Sequence, residues 1–105
     1  MDSYMDSYRI VELDVLRWAE KRRIIPNSTP LAQAIKTTEE VAELLKALSK
    51  NDLDEAIDAY GDIMVTLIIG AGLMDVDLIH CLNRAYSVIK DRKGYLTKDG
   101  IFVRE

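Results

Sequence analysis

The segment IMVTLIIGAGLM, residues 63–74, is apolar on nearly every side when wound as a helix. A helix without a polar face has to be covered all round, so the rest of the chain must be arranged about it. The run is too short to span a bilayer comfortably, and no apolar leader stands near the start of the sequence. It is therefore expected to be a buried central helix of a protein with no membrane partner. A chain of 105 residues, 49% hydrophobic and 30% charged, suffices for one folded domain, 1–105, with a small core.

Periodicity and punctuation divide the chain into four helices. Ile10, Leu13, Leu16 and Trp18, separated by polar residues, predict a helix over 8–23. IIPNSTP breaks that pattern. Ser28 or Thr29 is placed to cap a second helix, which has Pro30 at its tolerated first position and reaches about residue 49. Asp52 and Glu55 form a capping-box-like start for a third, which ends at Gly70 or Gly72. Asp75 is the expected N-cap of a fourth, running to about Lys90. The remainder, RKGYLTKDGIFVRE, has β-type letters around Lys98-Asp99-Gly100 and predicts a short hairpin or an extended tail. Connections this short imply an all-α, antiparallel four-helix bundle-like domain. Residues 1–7, including most of the repeat MDSYMDSY, are expected to fray, and 91–105 to form a basic tail.

Charge is unevenly spread. Between Glu39 and Asp62 eight acidic residues face only Lys46 and Lys50, a local charge of −6, while residues 83–105 carry a local charge of +3. The overall −4 gives no general reason to bind nucleic acid. The one cysteine, Cys81, excludes an internal disulfide and fits a reducing, cytoplasmic setting. Cys81 and the only histidine, His80, are too few for a zinc site and diverge by about 100° on a helix.

The acidic middle is ordered. Glu39, Glu40 and Glu43 fit within an arc of about 100° on the second helix, and Glu55, Asp58 and Asp62 within about 60° on the third. Asp62 opens the apolar run, which places it at the edge of the core, where an unpaired carboxylate costs several kcal/mol unless compensated. Lys36, one turn before Glu40, is one compensation; a protonated carboxyl pair is another; a hard divalent cation, which takes oxygen ligands, is a third. A di-iron bundle would need Glu-x-x-His motifs, and no glutamate stands three before His80. A plain solvated acidic face remains the ordinary alternative.

EEVAELLKAL followed by DAYGDIMVTLI resembles the MazG-like all-α nucleoside triphosphate pyrophosphohydrolases, which carry Glu-Glu-x-x-Glu on one helix and Glu-x-x-Asp, usually within Gly-Asp, on the next. Glu39, Glu40 and Glu43 match the first motif, and Gly61-Asp62 the end of the second. The likeness extends upstream through RWAEKRRIIPNSTPLAQAIKTTEE and downstream through AYSVIKDRKGYLTKDGIFV, as in small, often phage-type members. One position departs: Ala59 stands where the second motif has glutamate, and Asp58 or Glu55 is the candidate substitute.

The resemblance implies Mg²⁺-dependent hydrolysis of a nucleoside triphosphate to monophosphate and pyrophosphate. It implies Glu40, Glu43 and Asp62 as metal ligands, Asp58 and Glu55 next, and Glu39 as a ligand or water-orienting base. Lys90, Arg92 and Lys93, helped by Lys36 and Asn83, are the candidates to hold phosphates; Trp18 and Tyr86 to pack on a base; Gln33 to read its edge. A helical module that binds nucleotide without turnover is the alternative, and Ala59 is its best support. Covering residues 63–74 while reserving a charged cleft predicts a homodimer or homotetramer in which the basic tail of one copy reaches the cleft of another.

Overall fold

The computed structural model describes residues 3–105, with side chains from residue 7 onward. Its elements in order are α1 (Ser3–Lys21), α2 (Ile24–Asn27), α3 (Pro30–Ser49), α4 (Leu53–Leu73), α5 (Leu78–Ile89), β1 (Gly94–Leu96) and β2 (Phe102–Arg104). The all-α architecture and the C-terminal hairpin are as expected. The first helix begins at Ser3 rather than Tyr8, and residues 1 and 2 lie outside the described ones. The IIPNSTP break contains a single helical turn, α2, entered through Arg23 in the left-handed region at φ 62°.

The framework is a seam between α3 and α4. On α3 the residues withdrawn from solvent are Gln33, Thr37, Glu40, Leu44 and Ala47, spaced four and three apart. The facing row on α4 is Ala56, Ala59, Ile63, Thr66 and Gly70, with the same spacing. Three observations fix the antiparallel register. The hydroxyls of Thr37 and Thr66 share a 2.7 Å hydrogen bond. A Cβ added at Gly70 would stand 3.4 Å from the Cβ of Gln33. Ala47 and Ala56 line one cavity. The register sets Glu40 opposite Ile63 and Leu44 opposite Ala59. Small residues along α4 let the two backbones approach closely.

α1 covers another side of α4. Leu16 lies over Gly72, with Ile25 of α2 beside it, and Ala19, Ile68 and Ile69 are buried there. The largest fully buried side chain is Glu12. Arg9 Nη1 donates to Glu12 Oε1 at 2.9 Å and reaches Asp77 Oδ1 at 3.2 Å, clasping α1 to the turn between α4 and α5. Glu12 Oε2 has no hydrogen-bond partner among the described residues.

This clasp corrects the expected start of the fourth helix. Asp75 is not its N-cap: it sits left-handed at φ 58° and closes α4, its N–H donating to Gly72 O at 3.0 Å. The N-cap is Asp77, whose carboxylate makes no capping bond and faces Arg9 instead. The other caps are as expected. Thr29 Oγ1 accepts from the Ala32 N–H at 3.0 Å, and Asp52 Oδ1 from the Glu55 N–H at 3.1 Å.

The hairpin pairs Gly94 with Arg104, Tyr95 with Val103 and Leu96 with Phe102. Beyond the last pair the Thr97 N–H donates to Ile101 O at 2.7 Å, which leaves a three-residue loop ending at Gly100, φ 84°, the left-handed position that this loop length requires. Gly94 is needed for space, because a Cβ there would collide with the Val103 carbonyl oxygen and the Phe102 ring.

Apolar cover within one chain is thin. The buried hydrophobic residues are Ala19, Ala47, Ala56, Ala59, Ile68 and Ile69. Within one chain residues 63–74 are only partly covered: α4 is long and apolar enough by composition to cross a membrane, and 28% of its most apolar stretch is buried. Every residue of α5 from His80 onward is exposed, including Leu82, Tyr86, Val88 and Ile89. The radius of gyration is 15.9 Å, against about 13 Å for a compact chain of this length. The accessible surface is 8305 Å², against about 5,900 Å² for a compact monomer of this mass.

Candidate active site

Helical period places one flank of the α3–α4 hairpin in order. Beside the seam, Lys36, Glu39 and Glu43 project from α3, and Glu55, Asp58 and Asp62 from the same side of α4. Glu40 stands in the seam, its side chain only 15% exposed, whereas Glu39 is 62% exposed. Lys36 Nζ lies 3.5 Å from Oε1 of Glu39 and 3.5 Å from Oε1 of Glu40. These carboxylates, Glu39 first, raise the lysine pKa above its ordinary value.

Asp62 is exposed, a correction to its expected place at the core edge. The cause lies in the register: the seam takes Ala59, Ile63 and Thr66, and leaves Asp62 on the flank. Asp58 is exposed on the same flank. Glu55 and Glu43 line a cavity of about 310 Å³ with Lys46, Lys50 and Asp52, where α3 turns into α4. Ala59, 4% exposed, occupies the seam itself.

At the other end of the flank lies an open, largely apolar groove of about 620 Å³. Trp18 from α1, Gln33 and Lys36 from α3, and Val65, Thr66 and Ile69 from α4 line it, with Arg23, Asn27 and Ser28 from the α1–α3 connection. Trp18, Gln33 and Lys36, singled out from sequence, are thus brought together. Arg23, Asn27, Ser28 and Thr66 were missed. The helix-breaking IIPNSTP was the available signal for Asn27 and Ser28, and Arg23 immediately precedes it, since the segment had to fold into a connection beside the next helix. Gln33 Nε2 donates to Ser28 Oγ at 3.0 Å and Asn27 Nδ2 to Arg23 O at 2.8 Å, so the rim is tied together locally.

The remaining candidates stand elsewhere. Asn83, Tyr86 and Lys90 are exposed on or just after α5. Arg92 and Lys93 line a shallow depression with Val88, Asp91, Arg104 and Glu105. Neither depression lined by α5 and the tail includes a residue of the acidic flank.

Carboxylate oxygens on one flank are the donor set that a hard divalent cation takes, and the half-buried Glu40 needs a counter-charge. Among the described residues, however, no three acidic, histidine or cysteine side chains converge tightly enough to hold an ion. The residues suit Mg²⁺ in chemistry, and their side chains must gather to bind it.

An all-α hairpin with paired acidic motifs beside a groove defines the class. The family model of phosphoribosyl-ATP pyrophosphohydrolase matches residues 20–86, so the chain belongs to that family of pyrophosphohydrolases. The matched span contains every acidic candidate, with Gln33, Lys36, Asn83 and Tyr86; Trp18, Lys90, Arg92 and Lys93 fall outside it. A Haemophilus phage HP1 protein, described as an uncharacterized 18.2 kDa protein in the rep-hol intergenic region, is 36% identical over 66 residues, which make up 63% of this chain. The match spans 40% of that phage protein's length. No solved structure matches.

Proposed function

We propose that the protein is a Mg²⁺-dependent pyrophosphohydrolase that cleaves a nucleoside triphosphate into monophosphate and pyrophosphate. The observation that carries this reading is adjacency: Lys36, which lines the groove with Trp18 and Gln33, stands 3.5 Å from both Glu39 and Glu40, and Glu43 and Asp62 follow on the same flank by helical period. A nucleoside lies in the groove against Trp18, and Gln33, whose amide nitrogen is held by Ser28, turns its carbonyl oxygen to the base. The phosphates then extend over the carboxylates. Bound Mg²⁺ would neutralise the polyphosphate and activate a water there. Glu40, Glu43 and Asp62 are the residues to hold it, with Asp58 or Glu55 replacing the glutamate that position 59 lacks. Glu39, solvent-facing, orients the water and accepts its proton.

Phosphate contacts from Lys90, Arg92 and Lys93 require a second copy of the chain, because these residues stand apart from the acidic flank. The uncovered surfaces of α4 and α5 support that pairing. The test is Mg²⁺-dependent pyrophosphate release across the common nucleoside triphosphates, with Glu43→Gln as control. Turnover lost in Glu43→Gln supports the proposal; orthophosphate as the only phosphorus product, or no turnover, refutes it. Ala59, buried in the seam where the motif has glutamate, favours a second reading, a nucleotide-binding module without turnover. Nucleotide binding without pyrophosphate release would select it.

A further inference from the structure

Lys36 belongs to two neighbourhoods at once. Its ammonium stands 3.5 Å from both Glu39 and Glu40, and its side chain lines the groove with Trp18 and Gln33. Half exposed, and paired with an exposed Glu39, it is held loosely enough to move. Glu40, mostly covered and opposite Ile63, has no other cation at hand among the described ion pairs. The ammonium therefore supplies the charge that a divalent cation would otherwise bring.

We infer that Lys36 is a displaceable counter-ion that couples the groove to the acidic flank. While its ammonium lies between Glu39 and Glu40, it competes with Mg²⁺ for the oxygens of Glu40 and holds Glu39 from the water. A phosphate entering the groove offers the same ammonium a second anion, reached by rotating a flexible four-carbon stem. Once Lys36 turns to the phosphate, Glu40 is released to the metal and Glu39 to the water beside it. Nucleotide and Mg²⁺ then favour each other's binding through one side chain, and the coupling is reciprocal. This rests on the proposed site but not on turnover, so the two fail separately.

The experiment measures Mg²⁺ binding by calorimetry, alone and with a nucleoside monophosphate, whose own affinity for Mg²⁺ is weak. Fluorescence of Trp18, the one tryptophan, follows nucleotide binding in the groove. Three proteins are compared: the parent, Lys36→Met, which keeps the apolar stem, and Lys36→Arg, which keeps the charge. In the parent, saturating monophosphate should tighten Mg²⁺ binding roughly fivefold or more. Lys36→Met should bind Mg²⁺ alone more tightly than the parent does, and monophosphate should add little. Lys36→Arg should restore weak binding of Mg²⁺ alone. Equal Mg²⁺ affinity in parent and Lys36→Met, no Mg²⁺ binding by either, or equal coupling in both overturns the inference. Coupling as described in a protein that releases no pyrophosphate would leave Lys36's role standing and refute only the catalytic proposal.

Discussion

Ala59 is one methyl group in the position where a fourth carboxylate would enter the α3–α4 seam, opposite Leu44 and near Glu40. At 4% exposure, a glutamate there cannot reach water without opening the seam. Ala59→Glu should therefore melt at a lower temperature than the parent in chelator, since burying an unpaired carboxylate costs several kcal/mol. Mg²⁺ should recover most of that loss by mass action. Equal melting with and without Mg²⁺ would show that no metal reaches the seam. Tyr8 gives a prediction of a different kind. Burial, and then hydrogen bonding and charge from Glu12, push its phenol from 10.0 up to about 12. The folded state thus holds this proton more tightly than the unfolded chain. That stabilisation is full below pH 10 and disappears as the pH rises toward about 12. Melting temperature should fall across that window, and less steeply in Tyr8→Phe; identical slopes would contradict the assignment. Some decline persists in the variant, because the raised Lys36 pKa acts in the same direction.

At the scale of elements, sequence revealed what local chemistry decides and missed what tertiary contacts decide. Thr29-Pro30 and Asp52 started α3 and α4 where their capping chemistry predicts. The start of α5 was misread because Asp77 satisfies Arg9 across the fold, a partner sequence does not show. The acidic motifs identified the two helices of the seam, yet the apolar run placed Asp62 at the edge of the core, which the seam register corrects. The groove was half legible. Trp18, Gln33 and Lys36 were readable by residue type, whereas Asn27 and Ser28 enter it through the path of the α1–α3 connection. The hairpin supplies the test at this scale. Gly94→Ala drives a Cβ into the Val103 carbonyl, so it should unpair β1 from β2, seen as loss of amide protection at Tyr95 and Val103. The α3–α4 seam should keep its protection, since it makes no extensive contact with the hairpin. Loss of protection throughout the protein would contradict that independence.

For the whole molecule, area is the governing quantity. About 2,400 Å² of surface is exposed beyond what a compact monomer of this mass shows. That exceeds the roughly 800 Å² each partner contributes to a standard interface. Exposed apolar side chains stand on α1, α3 and the hairpin as well as on α4 and α5, and a second copy across a two-fold axis is the cover proposed for them. Light scattering at micromolar concentration should give two or four times 11.9 kDa; a stable, active single chain would contradict the pairing. Mixing Glu43→Gln with Arg92→Ala chains should recover activity if sites are shared between copies, and none if each chain is self-contained. The proposed activity is narrower: it would break the bond between the α and β phosphates of a nucleoside triphosphate. Phosphorus NMR of one nucleoside triphosphate incubated with protein and Mg²⁺ reads that bond directly. Monophosphate and pyrophosphate resonances should grow equally, and neither should grow with Glu43→Gln. Diphosphate and orthophosphate in their place would contradict it.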